Sequence, residues 1–169
     1  MSNPLFFDFR KTAQKGLIAG IITLSVSIIG MVELFEKRAL IANFLTMGQV
    51  LIFAATAILA YQYSQSIPRG KTRDWILSGL TIGIFSTPPA ILLIWLAQIV
   101  NLRQFFPNVS PALTELLSFH QEPIVGSLAL AASFTIVGLI AAGASQIPDK
   151  IRRPLLNAIF GTLTIGLFS

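Results

Sequence analysis

Apolar residues in this chain come in long unbroken runs, without the two-residue alternation of a half-buried strand or the single stripe of a soluble amphipathic helix. The runs occupy 16–35, 40–61, 75–100, 124–145 and 155–169. The first four are each about 20 residues or longer, and at 1.5 Å per residue that length crosses a hydrocarbon core of roughly 30 Å. The pattern predicts an all-α, polytopic transmembrane protein: one domain over 1–169, with four full spans and a fifth, incomplete one. Little more than "EKRA" separates the first two runs, which predicts an antiparallel helical hairpin. Pro88 and Pro89 lie near the middle of the third run and predict a kink near Phe85, because each proline removes an amide donor and crowds the preceding turn.

The longest polar interval, 101–123, contains "SPALTELL". Ser110 is placed to cap a helix whose first residue is Pro111, with Leu113, Leu116 and Leu117 on one face. The spacing predicts a short external amphipathic helix lying on the membrane surface. The last run, 155–169, would make only about 22 Å of helix. A terminus there would leave carbonyls unpaired in hydrocarbon, so the expectation is that the native chain continues beyond Ser169. The first run is too long for a signal peptide and ends in "ELFEKR", so it is expected to be retained.

Composition sharpens the class. Of the 169 residues, 54% are hydrophobic and 11% charged, with mean hydropathy +0.76; soluble domains carry about 25% charged residues. The net charge of +5 does not imply nucleic acid as a partner, because the basic residues fall in short clusters between apolar runs. Arg10, Lys11 and Lys15, then Arg69, Lys71 and Arg73, then Lys150, Arg152 and Arg153 occupy alternate links, against Lys37, Arg38 and Arg103 on the other side. That bias predicts a cytoplasmic amino terminus. With no cysteine, disulfides, iron–sulfur clusters and thiolate metal sites are excluded.

Candidate chemistry is sparse. No ionisable residue falls at the centre of a run; Glu33 comes nearest, and with Lys37 four residues on it reads as a snorkelling pair rather than a proton or cation site. His120 is the only histidine. It is a weak candidate for a single axial ligand to a haem or pigment, and its setting beside Gln121, Glu122 and Pro123 reads as a hydrated interface instead. No multi-histidine metal site, nucleophile elbow, phosphate loop or carboxylate pair is present, so no catalytic residue, metal or cofactor is expected and the chain is read as no enzyme. Two GxxxG patterns, Gly16 with Gly20 and Gly79 with Gly83, are candidate helix-packing faces, since small residues four apart let backbones approach. Asn43, Gln49 and Gln98 read as interhelical hydrogen-bonding amides. "PLFFDFRK" and "FFPN" read as interfacial anchors, and "NVS" at 108–110 as an external glycosylation sequon.

The stretches "NPLFFDFRKTAQKGLIAGIITLSVSIIGMV" and "VNLRQFFPNVSPALTELLSF" resemble the amino-terminal membrane extension of bacterial branched-chain amino acid ABC transporter permeases. The resemblance implies a multi-pass protein of the bacterial inner membrane, working with a cytoplasmic ATPase and an external substrate-binding protein in amino acid import. It also marks a departure: nothing in 1–169 resembles the cytoplasmic coupling loop that docks the ATPase. The other reading is an accessory subunit of a respiratory or photosynthetic membrane complex, packing against partner helices and lipid, quinone or pigment.

Overall fold

The computed structural model describes residues 7–36, 38–41, 45–106 and 111–168. The chain is almost wholly helical: α1 (Phe9–Ile28), α2 (Met31–Leu34), α3 (Met47–Gln65), α4 (Thr72–Ile99), α5 (Pro111–Leu117), α6 (Pro123–Ser145) and α7 (Asp149–Phe168). A minimal antiparallel ribbon of β1 (Ala39–Ile41) and β2 (Leu45–Thr46) precedes α3, and a 3₁₀ turn at Leu102–Gln104 follows α4.

Local capping moves several boundaries away from the apolar runs. Asp8 accepts a hydrogen bond from the Lys11 amide at 3.2 Å and starts α1 upstream of position 16, inside the basic segment. The helix stops at Ile28 because Gly30 turns left-handed, with φ 89°, a conformation glycine adopts without penalty. The run at 16–35 is therefore one long helix and a short α2, not a single span. Thr46 and Gln49 form a reciprocal capping box (3.2 and 3.1 Å), so α3 begins at Met47 and Leu40 lies in the ribbon. The predicted tight hairpin is thus a structured connector, in which the backbone of Val32 and Glu36 packs against Gly48. Two helices, α4 and α6, are long and apolar enough to cross a membrane; the expected four full spans reduce to these two by length and hydropathy. The final helix begins at Asp149 rather than 155, and its 20 residues extend about 30 Å.

Around the bundle the order is α1, α4, α6, α3, each packed on the next. One apolar core lies where α4 ends and α6 begins, built from Val32, Leu93, Ile94, Leu102, Leu130 and Phe134. Leu113, Leu116 and Leu117 of α5 are buried in it. This corrects the expectation of a surface-lying amphipathic helix: α5 exists, but its leucine face plugs the end of the bundle.

Elsewhere the usual distribution is inverted. The buried face of α1 is Thr12, Ala13, Gly16, Ala19, Gly20, Thr23 and Ser27, while Leu17, Ile18, Ile21 and Ile22 are exposed. In α6, Gly126, Ser127, Gly138, Ala142 and Ser145 turn inward and Leu128, Ile136 and Ile140 outward. The buried hydroxyls mostly bond within their own helices, as Ser86 does to the Ile82 carbonyl (2.7 Å) and Thr87 to that of Gly83 (3.1 Å). Thr23 instead donates across helices to the Ile52 carbonyl at 2.9 Å.

Candidate functional site: two packing faces and a polar end

The four glycines of the GxxxG patterns fall at helix crossings. On one side of α4, Gly16 and Gly20 of α1 meet Ile82, Phe85, Ser86 and Pro89; a Cβ at Gly16 would sit 2.8 Å from the Ile82 carbonyl oxygen. On the other, Gly79 and Gly83 of α4 meet Gly138 and Phe134 of α6, where a Cβ would come within 2.8 and 2.6 Å of carbonyl oxygens. Such distances leave no room for any side chain, so backbone rests on backbone.

The helix is continuous through Pro88 and Pro89. Pro88 is exposed, whereas the Pro89 ring lies 2.9 Å from where a Gly20 side chain would begin, so it fills the groove that glycine opens.

His120 is exposed and takes up a left-handed conformation (φ 58°) directly after Phe119 (φ 54°). Its amide donates to the Glu115 carbonyl at 2.7 Å, closing the end of α5. No group of three potential metal ligands gathers among the described residues. Glu33 is half-buried in α2, while its expected partner Lys37 lies outside the described residues, as do Asn43 and the segment 107–110 with its sequon and Ser110 cap. Gln49 serves the capping box and Gln98 is exposed.

The feature that sequence reasoning missed is the polar end of the bundle. Three ties join segments far apart in the chain: the Asp8 amide donates to the Tyr63 hydroxyl (3.2 Å), Gln146 Nε2 to the Ser64 carbonyl (3.0 Å), and Arg69 pairs with Asp149 (3.4 Å). The start of α1, the α3–α4 link with the start of α4, and the start of α7, which carry the three basic clusters, therefore share one end. At Asp8, the Lys11 amide hydrogen bond, aided by the Lys11 charge, holds the carboxyl below the usual carboxylate range. Between Gln65, Arg69, Ser145, Gln146, Asp149 and Arg152 lies a cavity of about 300 Å³. Arg152 is the most enclosed of its charges, with 19% of the side chain exposed; it donates to the Ser145 carbonyl (3.1 Å) and pairs with Asp149. The signal in the sequence was "QIPDKIRR", whose proline-led turn brings Asp149 and Arg152 one helical turn apart.

Comparison with family models, curated proteins and solved structures finds no match to this chain.

Proposed function

We propose that the chain is a non-catalytic, membrane-embedded helical module that packs against other membrane subunits. The observation that carries this reading is the inversion of α1, and of α6 outside the apolar core at Leu130 and Phe134: glycine, alanine and hydroxyl residues inside, isoleucine and leucine outside. In water, exposed apolar area costs about 25 cal/mol per Å². In lipid there is no such cost, and helix association depends on the close small-residue contacts present here. The flanking helices α1 and α3 complete the spans in this reading, with α3 free of charged residues over Met47–Gln65, and the polar end lies toward the cytoplasm.

Within that class, the resemblance to the permease extension favours a supporting role in amino acid import. The accessory-subunit reading draws on the outward face of α7, where Ile151, Leu155, Ile159 and Ile165 are exposed. The absence of cysteine makes the test direct. A single cysteine at Lys71 should resist a membrane-impermeant maleimide added outside intact cells, while one at Gln121 should react. Equal labelling of both, or release of the chain by alkaline carbonate, would remove the membrane reading. Gentle purification from native membranes then separates its two forms: a copurifying ATPase supports the importer role, and a copurifying chromophore or redox subunit the accessory one.

A further inference from the structure

We propose that the cavity at the polar end is a binding site for a phosphate group, held by Arg69 and Arg152 and gated by Asp149. Both guanidinium groups bear on one carboxylate oxygen, Oδ1 of Asp149. Two cations on a single anion leave the cavity with a net positive charge. Each guanidinium has five N–H donors; Arg152 commits Nη1 to Ser145 and Nη2 to Asp149, and Arg69 commits Nη2 at a long 3.4 Å. A phosphate, with several acceptor oxygens and up to two charges, matches paired guanidinium forks better than one shared carboxylate oxygen does.

The walls fit the same ligand. Gln146 is fixed by its Nε2, which donates to the Ser64 carbonyl and to Ser145 Oγ at 3.0 and 3.1 Å. Its Oε1 is thereby left buried with no donor among the described residues. The volume, about 300 Å³, is at the small end of ligand pockets and suits a headgroup-sized molecule. Exposed Ile151 and Leu155, on the first turns of α7, offer apolar surface next to it. The shared chemistry is a phosphate ester, from an anionic phospholipid headgroup or from a soluble phosphate. The site depends on the fold at this end and not on which partner the module serves.

The test is a ligand-dependent shift in melting temperature of the full chain in phosphatidylcholine nanodiscs. Phosphatidylglycerol is included in one arm, and inorganic phosphate or glycerol 3-phosphate is added in the other. Stabilisation by phosphatidylglycerol alone assigns the lipid source; stabilisation by the soluble phosphates assigns the soluble one. Arg69→Gln, at an exposed position that contacts Asp149, should weaken binding about tenfold. Lys71→Gln makes the same charge change outside the cavity and should leave binding within about twofold, as expected of a screened surface charge. Asp149→Asn removes the internal competitor and should tighten binding, a direction that a purely structural salt bridge would not give. No stabilisation in either arm, equal effects of Arg69→Gln and Lys71→Gln, or weaker binding by Asp149→Asn would each overturn the proposal.

Discussion

Gly83 and Gly161 both sit inside apolar helices, yet their surroundings are opposite. A Cβ at Gly83 would meet the Phe134 carbonyl and the Thr135 Cα at 2.6 Å, while around Gly161 nothing lies within 4 Å. The α4–α6 crossing is thus made by backbones in contact, whereas α7 is tied at its amino-terminal end through Asp149 and Arg152 and otherwise touches only lightly on α3 and β1. Helices of similar apolar character can be locked or merely tethered, and the difference lies in what faces each small residue. A glycine carries structural weight only where another backbone occupies the place of its missing side chain.

The hardest blow to this contrast is the double substitution Gly79→Leu with Gly83→Leu. Each leucine has to displace α6 bodily, beyond the roughly 1–3 kcal/mol of an ordinary overpacked methylene, so cooperative melting in detergent, followed by circular dichroism, should be lost. A variant that melts like the parent would show that the crossing does not hold the bundle. A finer cut compares Gly83→Ala with Gly161→Ala. The first should cost about 1–3 kcal/mol and the second should gain up to about 1 kcal/mol from helix propensity alone. Equal effects would erase the distinction between the two regions.

Smaller still is Thr23→Val, which deletes the hydrogen bond to the Ile52 carbonyl. It should cost about 0.6 kcal/mol, and a loss of several would mean that this one hydroxyl dominates the α1–α3 contact. The least effect belongs to the exposed carboxylate of Asp8. Its folded pKa is depressed, so its contribution is present above the unfolded value of about 3.9 and is lost as the pH falls through the lower folded value. Asp8→Asn should flatten the acid limb of a stability profile below about pH 4, and an unchanged limb would assign the acid sensitivity to another group.

Much of the architecture was legible in the sequence because apolar runs and proline positions are local signals. Helices α4 and α6 lie within a few residues of the runs at 75–100 and 124–145. The ends of α1 and α3 were not read, although Asp8, Gly30 and the Thr46–Gln49 box are all visible in the sequence, because hydropathy outweighed capping in placing them. The burial of α5 was hidden for a different reason: three leucines on one face suit a lipid surface and a protein core equally, and only the tertiary arrangement chooses. The polar end was illegible because its partners, Arg69 with Asp149 and Ser64 with Gln146, are about 80 residues apart. Charge counting grouped these links on one side, and packing made that grouping a cavity.

The reciprocal contact of Gly79 and Gly138 has a mechanical consequence. Side chains bend and change rotamer under load, but two peptide backbones seated on one another have no such compliance. Helices α4 and α6 therefore behave as one stiff plank, with α1 riveted to its other side through Gly16 and Gly20. A displacement imposed on one end of that plank reaches the other without being absorbed on the way. The give in this molecule is left to α7, an arm whose shoulder is the pair of contacts from Asp149 to Arg69 and from Arg152 to the Ser145 carbonyl.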